Sequence, residues 1–88
     1  MTKNQSPAEL YNVILKLKTV EDCEKLFNDL FTYTEIQSME QRIVAAKLLL
    51  QGETYEQIIG KTNISSATLS RVNRCIKYGE GYKKFLSD

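Results

Sequence analysis

The stretch 54–74, TYEQIIGKTNISSATLSRVNR, constrains this chain more than any other. Thr54 and Gln57 have the spacing of a capping box, in which each residue satisfies an amide of the other and a helix begins. Asn63 tolerates the left-handed backbone that a tight turn demands. Ser65 is a good N-cap for a second helix. Ile58, Ile64, Leu69 and Val72 then fall where they can meet as the apolar core of the pair, leaving Ser66, Ala67, Ser70 and Arg74 facing outward. A short helix, a sharp turn and a second helix carrying small hydrogen-bonding groups make a helix-turn-helix. This unit lays its second helix into the major groove of DNA.

An ordinary helical hairpin in a structural bundle is the plain alternative, and charge separates the two. From Gln57 to Gly79 there is no Asp or Glu, whereas Lys61, Arg71, Arg74 and Lys77 are all basic. A solvated structural hairpin normally mixes signs; an acid-free basic segment coinciding with the motif suits phosphate binding. The net charge of the whole chain is only +1, so the asymmetry is local and points to one basic face. The expected groove contacts are Ser66, Ala67 and Ser70 at base edges, with Ser65 opening the helix and Arg71 available to DNA or to a ligand. Gln57, Lys61, Thr68, Arg74 and Lys77 are expected at phosphates.

The rest of the chain reads as helices around this unit. Ser6, Pro7 and Glu9 form a capping box with Pro at the first helical position, and a helix over 7–18 places Leu10, Val13, Ile14 and Leu17 on one stripe. Thr19 with Asp22 starts a second helix, striped by Val20, Cys23, Phe27, Leu30 and Phe31, with Cys23 in the core. Thr32 or Thr34 caps a third, longest helix that runs to Gln51 and stops at Gly52. Its apolar residues, including Ile36, Met39, Ile43, Val44, Leu48 and Leu50, occupy more than one stripe. Such a helix is expected to be buried on several sides, and a chain of 88 residues offers little to bury it against. Two copies sharing helices solve this, so a homodimer follows. After Gly79 a last helix spans 80–86, with Tyr82, Phe85 and Leu86 on one side. The expectation is an all-α, six-helix single domain over 1–88, with a dimerisation core at 7–51 and 80–86 and the helix-turn-helix at 54–78.

Composition excludes several functions. The chain has no histidine, which removes His-dependent triads, His metal sites and imidazole acid–base chemistry. No carboxylate pair sits in an apolar setting and no glycine-rich phosphate loop occurs, so no catalytic residue, metal or enzyme activity is expected. Cys23 and Cys75 match no metal spacing and read as reduced thiols in a cytoplasm. The apolar runs are far too short for a membrane span, and the polar N-terminus lacks an export signal.

The segments LFTYTEIQSMEQRIVAAKLLLQGETY and SSATLSRVNRCIK together resemble the Trp repressor family, in its YerC/YecD-type branch. The most specific pieces are Thr32-x-x-Glu35, Arg42-Ile43-Val44, Leu49-x-x-Gly52-Glu53 and Ala67 through Arg71. The resemblance implies an intertwined homodimer of six-helix subunits whose fourth and fifth helices read two half-sites of a palindromic operator on double-stranded DNA. It also implies a transcriptional repressor controlled by a small amino-acid corepressor. By position, the family's threonine and two ligand-stacking arginines become Thr32, Arg42 and Arg71. A serine that meets the ligand's ammonium becomes Cys75, a weaker acceptor. A glycine that leaves room for an indole becomes Val72, whose isopropyl group fills part of the space. Tryptophan is therefore not the expected effector: either another amino-acid-like molecule binds, or Val72 occupies the space and none is needed. A helical interaction or structural module without DNA binding remains the competing function, and binding to a duplex at varied salt separates them.

Overall fold

The computed structural model describes residues 7–87. Among these residues there are six helices and no strand: α1 (Ala8–Ile14), α2 (Val20–Leu30), α3 (Tyr33–Leu50), α4 (Tyr55–Thr62), α5 (Ser66–Tyr78) and α6 (Gly81–Leu86). Backbone proximity divides the chain into two units, Met1–Tyr33 and Thr34–Asp88.

In the first unit, α1 is shorter than its apolar stripe predicts. The stripe continues to Leu17, but the helix ends at Ile14, with Leu15 as its C-cap. The amides of Lys16 and Leu17 donate to the carbonyls of Val13 and Ile14, both at 3.0 Å, which are tight turns and not α-helical bonds. The start of α2 explains the early stop. Thr19 is its N-cap and accepts the Asp22 amide at 3.0 Å, while the Asp22 carboxylate accepts the Lys18 amide at 3.1 Å. That double grip holds residues 18 and 19 in a capping conformation, and α1 has to end before it. The proposed capping role of Ser6 lies outside the described residues. Pro7, expected at the first helical position, is instead the N-cap, with no side-chain bond. Along α2, Phe27 and Phe31 meet edge to face, with ring centres 5.2 Å apart. Cys23, expected in the core, is half-buried.

α3 begins at Tyr33, the last residue of the first unit, and continues through the second, so Thr32 immediately precedes it and Thr34 falls inside its first turn. Its end is a Schellman motif. Gly52 has φ +90°, its amide donates to Leu49 at 3.0 Å, and the Glu53 amide donates to Leu48 at 3.1 Å. Only Ala45 and Ala46 of α3 are buried, and Ile43 stays exposed, so one chain does not enclose this helix on several sides. Ala45 joins Ile58, Ile64 and Leu69 in a cluster flanked by Leu48, Leu49, Tyr55 and Ile59. The small methyl of Ala45 admits the larger side chains of α4 and α5 close to the α3 backbone. Burying each of those three aliphatic groups contributes about 1.5–3 kcal/mol.

Gly79 ends α5, and α6 follows from its N-cap Glu80, one residue later than expected. Gly79 is required for space and not for its backbone angles: a Cβ there would lie 2.7 Å from the Cys75 carbonyl oxygen. Gly79→Ala should therefore destabilise the protein by about 1–3 kcal/mol through forced backbone displacement. A thermal melt checks this, and an unchanged midpoint would show that the α5–α6 junction yields freely.

Candidate nucleic-acid interface

The helix-turn-helix forms as the local chemistry dictates. Thr54 is the N-cap of α4; its hydroxyl accepts the Gln57 amide at 3.2 Å, and the Gln57 side-chain oxygen accepts the Thr54 amide at 2.9 Å. Asn63 ends α4 in the left-handed conformation, with φ 59° and ψ 17°. Thr62 locks the turn, donating from its hydroxyl to the Ile58 carbonyl at 2.7 Å and accepting the Ile64 amide at 3.2 Å. From α3, the Gln41 amide group donates to the Thr62 carbonyl at 2.9 Å, satisfying one of the carbonyls left open at a helix end. Ser65 then caps α5, accepting the Thr68 amide at 3.1 Å.

Two faces of α5 result. Leu69 and Val72 are buried, and Leu69 reaches the cluster of Ala45, Ile58 and Ile64. Ser66, Ala67, Ser70, Arg71, Arg74 and Lys77 are all exposed, spaced three and four residues apart along the opposite side. Arg71, Arg74 and Lys77 have no ion-pair partner among the described residues. Ala67 is open to solvent and does not serve as a packing residue against α4.

Four candidate contacts already have local duties. The Ser65 hydroxyl donates to the Thr68 hydroxyl at 2.9 Å besides accepting its amide, so both side chains are used within the cap, and Thr68 is half-buried. Gln57 is exposed, but its side-chain oxygen is committed to the capping box, leaving its NH2 group as the donor for a phosphate. Lys61 is exposed and pairs with Glu53, Nζ to Oε1 at 2.6 Å. Reading the segment 57–79 as acid-free missed this acid, which lies four residues before the segment and reaches into it from the α3–α4 junction.

The five expected effector residues are distributed differently. Arg71, Val72 and Cys75 lie within two turns of α5; Arg71 and Cys75 are exposed and Val72 is buried. Arg42 is half-buried on α3, and Thr32 is exposed in the Met1–Tyr33 unit. A groove of about 510 Å³ runs between α3 and α4, walled by Gln37, Ser38 and Gln41 on one side and Lys61 and Thr62 on the other, and includes none of the five. Cys75 borders a smaller hollow of about 330 Å³ with Gly79, Tyr82 and Phe85. Among the described residues, no three or more Cys, Asp or Glu side chains converge as metal ligands would, and no helix is long and apolar enough to cross a membrane.

Comparison with known proteins gives a consistent picture. The family model described as Trp repressor protein matches residues 5–88. An uncharacterised Bacillus subtilis protein, YerC, is 49% identical over 71 residues, which is 81% of this chain and 68% of YerC. The crystal structure of a candidate Trp repressor from Staphylococcus aureus superposes with a TM-score of 0.89 at 41% identity, covering 96% of this chain and 87% of that one. A TrpR-like protein from Eubacterium eligens superposes with a TM-score of 0.87 at 42% identity, covering 93% and 86%.

Proposed function

This chain belongs to the Trp repressor family, and from that premise we propose that it is a sequence-specific, DNA-binding transcriptional repressor that docks as a homodimer on a palindromic operator. The observation that carries this reading is the outer face of α5, where Ser66, Ala67 and Ser70 sit in the open beside Arg71, Arg74 and Lys77 and no acid interrupts them. The side chains at the start of α5 are those that reach the floor of the groove. Serine pairs with several bases and alanine only touches a thymine methyl, so direct readout is limited and water and duplex shape supply more of the specificity. Arg74, Lys77 and the Gln57 amide serve phosphates, with Arg71 shared between phosphate and ligand, and Ser65 and Thr68 act chiefly by holding the helix end.

The dimer rests on unburied apolar surface. Neither α1, α2 nor α6 has a buried residue, and Leu15, Val20, Tyr33 and Phe85 are each at least 75% exposed in the single chain. Apolar surface on this scale marks an interaction site. A second copy covering it, with helices interlocked, also encloses α3.

The effector in this reading is an amino-acid-like molecule other than tryptophan, held by Arg42 and Arg71. By position in the family, Val72, buried here, replaces a glycine that leaves room for an indole, and the Cys75 thiol is a poor acceptor for an ammonium group. Selection of bound fragments from random duplex DNA, with and without a panel of amino acids, tests the reading. We expect two half-sites in inverted repeat, and a calorimetric titration with tryptophan that shows no micromolar binding. Failure to retain any duplex at low salt would overturn DNA binding; a micromolar tryptophan constant would overturn the effector assignment.

A further inference from the structure

The Glu53–Lys61 pair has a geometry that the groove reading alone does not use. Glu53 follows Gly52 in the Schellman motif, and its backbone amide is tied to the Leu48 carbonyl at 3.1 Å. The next residue is Thr54, the N-cap of α4, itself held on both sides by the capping box. The backbone on either side of the carboxylate is therefore pinned, and only 20% of the Glu53 side chain is exposed. Lys61 stands two turns further on, in the last turn of α4, with its side chain 58% exposed. Helical side chains lean toward the N-terminus, so Lys61 runs back along α4 and its ammonium meets Glu53 at 2.6 Å.

We infer that Glu53 is an internal competitor of DNA: it holds Lys61 away from duplex phosphates and so lowers the affinity of the protein for every duplex. This inference rests on the DNA-binding reading above. The fixed carboxylate is a standing counter-ion that phosphate must displace. Lys61 consequently releases little condensed counter-ion when the protein binds, unlike Arg74, which has no such partner among the described residues. Phosphate contacts carry no base information, so the competition changes overall strength and leaves sequence preference untouched.

The test is a double-mutant cycle on the full-length protein, with binding to the selected operator and to a random-sequence duplex measured over a salt series. Glu53→Gln keeps the shape and removes the charge. It should tighten both duplexes by the same factor, about five- to tenfold per protomer near 0.1 M salt, and steepen the salt slope by about one unit per protomer. Lys61→Ala alone should change the slope little, whereas in the Glu53→Gln background it should remove the whole gain. If Glu53→Gln tightens binding equally without Lys61, or changes nothing while the wild type binds, the competition does not exist. Should Glu53→Gln fold poorly, Lys61→Ala by itself decides: a full unit lost from the slope of an otherwise wild-type protein overturns the inference. Absence of any wild-type binding speaks against the DNA reading instead, so the two failures are distinguishable.

Discussion

Leu69→Ala is expected to destabilise this protein by about 2–5 kcal/mol, the range for removing a large aliphatic side chain from a closed core. Leu69 is fully buried and lies among Ala45, Ile58 and Ile64, so its loss leaves a void bounded by three helices and the turn. Alanine is the best helix former, so α5 keeps its intrinsic preference and the loss reports packing alone. The residues on either side, half-buried Thr68 and exposed Ser70, remain in place. In a protein of this size the change corresponds to a fall of roughly 10–20 °C or more in the melting midpoint. Denaturant titration should show a lower midpoint with an unchanged slope. Ser70→Ala, one residue away but exposed, should stay within about 0.5 kcal/mol of wild type. Equal effects from the two substitutions would mean that α5 is not anchored through Leu69.

Affinity for DNA should fall about a thousandfold between roughly 50 mM and 200 mM salt. Three exposed cations on α5, Arg71, Arg74 and Lys77, appear once in each protomer, so a dimer meets about six phosphates. Each contact contributes close to 0.9 to the slope of log affinity against log salt, about five in all. Arg74→Ala should weaken binding to every sequence and flatten the slope by about one unit per protomer. Ser70→Ala should preserve the slope and alter which sequences are preferred. A titration series on two duplexes of different sequence distinguishes these outcomes. If Arg74→Ala changed preference while Ser70→Ala changed the slope, the assignment of phosphate and base contacts would be reversed.

What was legible in the sequence is what depends on residues three or four apart. The box of Thr54 and Gln57, the left-handed Asn63, the Ser65 cap and the Gly52 stop each depend on a few adjacent residues, and each forms as its chemistry requires. The helix read several residues too long, α1, failed because two local signals compete there. Its apolar period runs on to Leu17, but Asp22 reaches back to the Lys18 amide and capping of α2 prevails. Periodicity reports which residues share a face; it says nothing of where the backbone amides find their acceptors.

The sequence by itself determined the order and kind of the helices, the turn and the two faces of α5, because hydrogen bonds and side-chain periodicity within one or two turns decide these. Only the tertiary structure decided that, among the described residues, Lys61 is paired and Arg74 is not, that Gln41 ties α3 to the end of α4, and that of α3 only Ala45 and Ala46 are buried. Those outcomes depend on the path the chain takes between helices. A carboxylate eight residues from a lysine becomes its partner only when a glycine turn and a helix cap bring it there, and no spacing rule encodes that path.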